Sequence, residues 1–341
     1  MALTGIATGD EYCAKVWHIG LEREVIRDLY FNKFMGGGKD SPVLMLNDLM
    51  GKAGDVIHYQ LLKALTGNGI SGNDTFEGKE EEMLYYDDTI TLQMKGNAVA
   101  DDGPLSNQRA TFSISADAAN SLKTWLAEKI DDACFTALQT SLTKCFYIDS
   151  AGAITAGTQA TALAGIVATT SHITPQLARY AGAWAKTGGA GGQPRLQRMK
   201  SDGGKKRFVA VMYTDVAEDM RSNTEWVQSM REAGSRGDAN KLFTDSLGML
   251  SDIVFVDNEG VGYFTNGGSG AVRGSHNLLL GRAALAFGWA KKPSITEGSS
   301  KYKLKHGKAI HALFGVTKCA FDSKDYGVVG LTSDATNIGG L

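Results

Sequence analysis

The chain has 341 residues, with 35 Lys+Arg against 37 Asp+Glu, a formal charge of -2 and 43% hydrophobic residues. That length and apolar content suit one large or two medium domains and exclude low-complexity disorder; the near-neutral charge argues against a dedicated nucleic-acid binder but leaves room for local basic patches. Glycine is abundant at 42 residues against five prolines, which predicts many turns and mobile loops.

No run approaches the roughly 18 consecutive apolar residues of a membrane span, and Met1 to Glu11 lacks a basic n-region and an apolar h-region. The expectation is a soluble protein made in the cytoplasm, with no membrane partner. Cys13, Cys134, Cys145 and Cys319 form no CxxC pair and read as four free thiols, three of them buried.

From Thr4 to about Leu49, amphipathic pieces such as Trp17, Leu21, Val25 and Leu29 alternate with turns and break at Gly36-Gly37-Gly38. Such a segment holds no core of its own, so residues 1–50 are expected to form an arm. Residues 51–100 follow as an extended β-loop. Asp55–Leu62 and Leu84–Lys95 read as strands, the second alternating Ile90, Leu92 and Met94 with Thr89, Thr91, Gln93 and Lys95. The polar, glycine-rich joining segment predicts a flexible acidic tip on a two-stranded arm that needs a surface to lie on.

The best helix comes next. Ser115 reads as its N-cap, Asp117 lies in its first turn, and Ala119, Leu122, Leu126, Ile130, Ala133 and Ala137 recur at helical spacing up to about Leu142. At about 1.5 Å per residue it is about 40 Å long. Thr174 followed by Pro175 opens another helix, through Leu177, Tyr180 and Trp184. Arg207–Tyr213 reads as a buried strand, followed by a Thr214-capped helix through Val216 and Met220 towards Met230, and Asp252–Val256 as another strand. Mobile loops are expected at 186–192, 203–204 and 265–274. His276–Trp289 is apolar enough to be buried, and Tyr302–Phe321 reads as a hairpin whose second strand is His311–Phe321.

No catalytic motif survives inspection. Gly67, Gly69 and Gly72 satisfy G-x-G-x-x-G, but no helix follows and the acids beyond Gly72 would repel phosphate, so the nucleotide-binding enzyme reading fails. Gly267-Gly268-Ser269-Gly270-Ala271 falls one residue short of a nucleophile elbow. Gly36-Gly37-Gly38-Lys39 and Gly203-Gly204-Lys205 complete no P-loop. The six histidines show no metal-ligand spacing. Arg236-Gly237-Asp238 is a tripeptide that recurs by chance. Neither a catalytic residue, a metal nor a cofactor is expected.

Charge carries more information. Glu77, Glu80, Glu81, Glu82, Asp87 and Asp88 against Lys79 give a net -5 between residues 77 and 88. Arg195, Arg198, Lys200, Lys205, Lys206 and Arg207 against Asp202 give +5, as do Lys291, Lys292, Lys301, Lys303, Lys305 and Lys308 against Glu297. These blocks are either solvated faces or intersubunit contacts in which the acidic tip of one copy meets one of the basic patches of another.

The order of these elements resembles the major capsid proteins of tailed bacteriophages. Gly54-Asp55 opening a strand, Leu65-Thr66-Gly67-x-Gly69-Ile70-x-Gly72 and Phe76-Glu77-Gly78-x-Glu80-Glu81 are similar to a block of one podovirus-type family. Leu122–Asp131, with Trp125 and Asp131, and Asn277–Leu285, with Gly281 and Arg282, resemble further blocks.

The resemblance implies an α+β tailed-phage major capsid fold with N-terminal arm, extended two-stranded loop, peripheral domain with long spine helix (101–145 and 286–341) and axial domain (146–285). It implies self-assembly into the hexamers and pentamers of an icosahedral shell in the virion, enclosing the genome. Expected partners are copies of the chain itself, a portal protein, a decoration protein in some shells, and double-stranded DNA held by weak non-specific contacts. A separate scaffolding protein is expected because only some fifty residues, without sustained heptads, precede Gly51. The rival is an encapsulin-like shell enclosing cargo enzymes.

Overall fold

The computed structural model describes residues 30–31, 35–36, 41–47, 50, 54–62, 65, 69–72, 75, 77–104, 114–188, 195–200, 206–232, 247–300, 302 and 304–338. The amphipathic pieces around Trp17–Leu29, Cys13, the Gly203-Gly204 loop and Arg236–Asp238 lie outside them, as do the side chains of Ser115 and Asp117.

A run that starts as Leu-Ala-Phe-Gly-Trp and ends as Thr-Glu-Gly-Ser-Ser must be buried at one end and exposed at the other. Leu285–Ser300 does this, and pairs antiparallel with Lys305–Lys318 from Leu285↔Lys318 to Ser300↔Lys305. Val43–Leu46 adds in parallel to Leu285–Gly288, the two-residue strand Met35–Gly36 adds in parallel to that, and Gln93–Ala100 closes the other edge, giving five strands.

One face of this sheet receives the long helix Ile114–Gln139. Leu122, Leu126, Ile130, Cys134 and Leu138 recur every four residues, all buried, and meet Phe287, Trp289, Ile310 and Phe314 of the hairpin. Full burial of each Leu or Ile contributes about 1.5–3 kcal/mol. The helix has no basic residue in its last turn. Lys318 supplies that charge from the sheet, donating to the carbonyls of Thr140 and Ser141 at 2.8 and 2.9 Å, where the last carbonyls of a helix lack partners.

The second sheet has nine strands. Its main path runs Gly248–Leu250, Ile253–Asp257, Lys206–Met212, Val272–Leu280, Val328–Asp334, Cys145–Ile148, Ile154–Gly157. Val328–Asp334 is buried along its whole length. This strand falls in the segment expected to be peripheral, yet it pairs antiparallel with Val272–Leu280 and parallel with Cys145–Ile148. Helix Pro175–Thr187 covers part of the sheet. Thr174 Oγ1 accepts from Leu177 N at 3.2 Å, Pro175 occupies the first turn, and Gly188 closes the helix at φ 82°, as the sequence predicts for its start.

The α+β class holds, but four local readings change. Leu84–Lys95 is not one strand. Tyr85–Thr91 belongs to the arm and Gln93–Ala100 to the five-stranded sheet, because Leu92 N donates to the Asp55 carbonyl at 2.8 Å and ends the arm ladder. The hairpin expected within Tyr302–Phe321 is instead Leu285–Ser300 with Lys305–Lys318, since alternation reveals a strand but not its partner. The helix from Thr214 is two helices, Thr214–Ser222 and Thr224–Glu232. Tyr213 is the cap residue of the first; Asn223 is extended, and its Oδ1 accepts from Glu225 N at 3.0 Å, starting the second. Finally, 265–274 is no loose loop: Tyr263–Gly267 and Val272–Leu280 form a hairpin turning through Gly268 at φ 56° and Ala271 at φ 50°.

Candidate assembly surfaces

The arm is built from Val56–Leu62 and Tyr85–Thr91, paired from Val56↔Thr91 to Leu62↔Tyr85. Two strands cannot bury a core, so they need a seat. Ile57 and Ile90 lie opposite each other and are 4% and 0% exposed. They rest on the hairpin at Gly288 and Gly315, themselves cross-strand neighbours. A Cβ on Gly288 would lie 2.6 Å from Ile57 Cδ1, and one on Gly315 would lie 2.4 Å from Ile90 Cγ2. The two missing side chains make the seat. Phe321, Ala286 and Cys319 complete this small core.

Asp88 locks the same end. Its carboxylate accepts from Tyr59 Oη at 2.5 Å and Ala320 N at 3.2 Å. Burial, aided by the neighbouring thiol and this carboxylate, pushes the Tyr59 phenol far above its ordinary range, and burial pushes the Cys319 thiol up to about 12. Both stay protonated. Asp88, taken from the sequence as part of an intersubunit contact, thus holds the arm within its own chain. Asp87, beside it on the strand, is exposed.

Beyond the seat the arm projects. Glu77, Glu80, Glu81 and Glu82 are exposed in irregular chain, as are Met83 at 52%, Leu84 at 41% and Tyr85 at 60%. An apolar cluster of this kind at the end of an acidic tip is available to a partner surface. The edge strand Gln93–Ala100 is a second such feature: all eight residues are exposed, Met94 at 70%.

The basic blocks divide when folded. Arg198 and Lys186 meet at Asp252, at 3.1 and 3.0 Å, and hold its carboxyl below the usual range, Lys186 contributing most. Met199–Lys200 pairs with Lys206–Arg207, which brings the two ends of that block together; Arg195 and Lys206 are exposed and Arg207 half-buried. Lys205 and the Lys200 side chain lie outside the described residues.

The second block lies along the long hairpin. Lys308 pairs with Glu297 at 3.2 Å, Lys305 pairs with Asp102, and Lys291 Nζ is 2.9 Å from His311 Nε2. Lys292 is half-buried, and Lys301 and Lys303 lie outside the described residues. Part of each block is therefore engaged within the chain, by Asp252 and Asp102 from outside the blocks and by Glu297 from within one.

Two anchors were not read as such from the sequence. Asp131, quoted only as part of a resembling block, accepts from the backbone N–H groups of Tyr30 and Phe31 at 2.9 and 3.4 Å, and both rings pack on Phe135. Burial raises the Asp131 carboxyl above its ordinary value, against the two hydrogen bonds. This ties residues 30–31 to the long helix. Lys318 also reaches Asp325 at 2.7 Å, and Asp325 accepts from Thr143 N at 2.8 Å. Neither signal is local: each joins residues far apart in the chain.

Cys134, Cys145 and Cys319 are buried free thiols. Among the described residues no group of three His, Cys, Asp or Glu could hold a metal ion, and no helix is long and apolar enough to cross a membrane.

Comparison with known proteins gives this geometry a context. The chain is 23% identical to the major capsid protein of Pseudomonas phage KPP25, over 92% of this chain and 93% of that one. Its fold is similar to that of the capsid of Ralstonia phage GP4, with a TM-score of 0.77, 21% identity and 99% of both chains covered. It is also similar to the capsid of cyanophage Pam1, with a TM-score of 0.79, 20% identity and 92% and 93% covered. The model of the phage capsid protein family matches residues 5–338, and the chain belongs to that family.

Proposed function

We propose that this chain is the major capsid protein of a tailed bacteriophage, assembling as hexamers and pentamers into the icosahedral shell around the genome. The observation that carries this reading is the arm. Its base is seated on Gly288 and Gly315, while its tip presents Met83, Leu84 and Tyr85 beside a run of glutamates with no apolar cover. A closed shell supplies that cover from a neighbouring copy. In this reading the five-stranded sheet and long helix form the peripheral domain, and the nine-stranded sheet forms the axial domain, with Val328–Asp334 returning to it.

The tip docks on a basic surface of the neighbour, either the Arg195–Arg207 strands or the Lys291–Lys308 hairpin. An exposed ion pair contributes only about 0–1 kcal/mol and is screened by salt. Several acids facing several bases, repeated over a shell, set register and suppress wrong pairings instead. A separate scaffolding protein sets shell size, a portal protein occupies one vertex, and a decoration protein is a partner open to test. Packaged double-stranded DNA meets the wall through few contacts, since a subunit of charge -2 offers only local patches. The subunit has no turnover of its own.

Electron microscopy of purified particles, with a nuclease-protection assay, tests the main claim: closed shells protecting DNA are expected, and strictly monomeric protein at high concentration overturns it. Particles filled with enzyme cargo in place of DNA overturn it equally. Charge reversal at Glu80, Glu81 and Glu82 should impair assembly, and reversing the facing lysines or arginines should partly restore it. Normal assembly of the triple variant across a salt series means that the tip is merely solvated.

A further inference from the structure

Apart from the assembly surfaces, one cluster joins titratable groups from three elements of the nine-stranded half. His172 lies between helices Gln159–Gly165 and Pro175–Thr187. Its Nδ1 is 3.0 Å from the carboxylate of Asp334, at the end of strand Val328–Asp334, and 3.6 Å from that of Asp219, on helix Thr214–Ser222.

The two carboxylates organise backbone as well. Asp334, with its side chain 4% exposed, accepts from Thr169 N at 2.6 Å. Thr169 is a β-branched residue held at φ 63°, a conformation such residues rarely adopt without support. Asp334 N donates to the Ser171 carbonyl at 3.3 Å, and Asp219 accepts from Thr336 N at 3.0 Å. One imidazole therefore stands where the 166–173 loop, the helix and the 334–338 segment meet. A cavity of about 350 Å³, lined in part by Thr169, Arg273 and Ala335, opens beside it, so the ring exchanges protons with solvent while the Asp334 carboxylate it meets is buried.

We propose that His172 is a proton-operated latch: as imidazolium it holds the 166–173 loop and the 334–338 segment against the domain, and on losing its proton it releases both.

The charged neighbours leave this role to His172. The Arg273 guanidinium is engaged by Asp215 at 2.7 Å, donates to Tyr213 Oη at 3.0 Å and to Asn337, and lies 4.8 Å from the Tyr263 ring centre. Glu218 and Arg221 pair with each other. His276, on the strand behind, contacts Thr332 Oγ1 at 2.8 Å, and burial pushes its pKa down to about 4, so it stays neutral through the relevant range.

The 3.0 Å contact with Asp334, opposed by burial and aided by the charges of both carboxylates, raises the His172 pKa above its ordinary 6.5. The folded state thus keeps the proton longer than the open one. The latch is at full strength below the ordinary value and is lost as pH rises through the folded value, with opening increasing up to about tenfold per pH unit between them.

Hydrogen exchange of the full chain, at a series of pH values spanning roughly 5.5 to 9, tests this. Protection of peptides covering 167–173 and 334–338 is normalised to the intrinsic exchange rate at each pH. In the native chain it should fall in one step that His172→Gln abolishes, leaving protection at the high-pH level throughout. Asp219→Asn removes one of the two stabilising charges and should move the step to lower pH. A native chain without the step overturns the latch, as does a step that persists in His172→Gln. Should His172→Gln fail to fold, an unmoved step in Asp219→Asn overturns it equally.

Discussion

Replacing Gly288 with alanine would put a methyl carbon 2.6 Å from Ile57 Cδ1 and 3.2 Å from the Leu46 carbonyl oxygen. The first distance is below any real Cβ contact, and the second is tight but tolerable, so the clash is chiefly with the end of one side chain. Forcing a methyl into a packed site costs about 1–3 kcal/mol. Ile57→Val removes the Cδ1 in question and by itself costs about 0.5–1.5 kcal/mol. The two changes should therefore be non-additive, with the double variant about 1 kcal/mol or more better than the sum of the singles. At Gly315 the outcome differs. There an added Cβ meets Ile90 Cγ2 at 2.4 Å and the Thr91 carbonyl oxygen at 2.6 Å, and Ile90→Val keeps Cγ2, so no rescue is expected. Gly298, which has nothing within 4 Å of an added Cβ, serves as the control and should change stability by less than about 0.5 kcal/mol on substitution by alanine. Urea unfolding of unassembled subunits, followed by tryptophan fluorescence with buried Trp289 next to the substitution, gives the four free energies of the cycle. Strict additivity of Gly288→Ala and Ile57→Val would mean that the arm does not sit on the sheet as described.

Further substitutions probe the two anchors. Lys318→Met leaves the Asp325 carboxylate, 2% exposed, without its cation and should cost about 3–5 kcal/mol, of which Asp325→Asn in the same chain recovers part; the readout is again urea unfolding. Asp131→Ala strands the N–H groups of Tyr30 and Phe31 and should cost about 1–3 kcal/mol. Asp131→Asn keeps an acceptor and removes the buried charge. Because the native carboxyl titrates above its ordinary value, the native chain should lose stability relative to Asp131→Asn as pH rises through that titration, and a difference that grows in the opposite direction contradicts the assignment.

Elements were legible where the signal was local. Ala119, Leu122, Leu126, Ile130, Ala133 and Ala137 at spacings of three and four gave the long helix, and Thr174-Pro175 placed another to the residue. What the sequence hides is pairing. Leu92 ends one ladder only because its N–H finds Asp55, and Lys305–Lys318 turns back on Leu285–Ser300 rather than on itself. Charge suffered likewise. Asp88 belongs to a run of acids in the sequence, but Tyr59 and Ala320 claim it in space, and Arg198 finds Asp252 54 residues away. The exposed glutamates at the tip were legible because Lys79, Glu80, Glu81 and Glu82 form an unbroken charged run, with no alternation that would turn one face inward. The seat under the arm was not, since two glycines 27 residues apart become one surface only after the hairpin forms.

Those glycines bear on why the composition is so rich in them. Turns and mobile loops were the expectation, and Gly268 and Gly188 are used that way. Gly288 and Gly315 do something else, inside the two strands of the long hairpin. In the interior of a strand glycine weakens the sheet unless another layer comes close. Close approach of the arm at Gly288 and Gly315 brings Ile57 and Ile90 to near-complete burial on a surface that would otherwise hold them off. The arm's base is thereby fixed to its own subunit by packing, while its tip and the Gln93–Ala100 edge keep their apolar residues exposed. A subunit divided in this way commits the base to its own fold and leaves Met83, Leu84 and Tyr85 at the far end, and Met94 on the sheet edge, in solvent, where the proposed reading has another copy cover them.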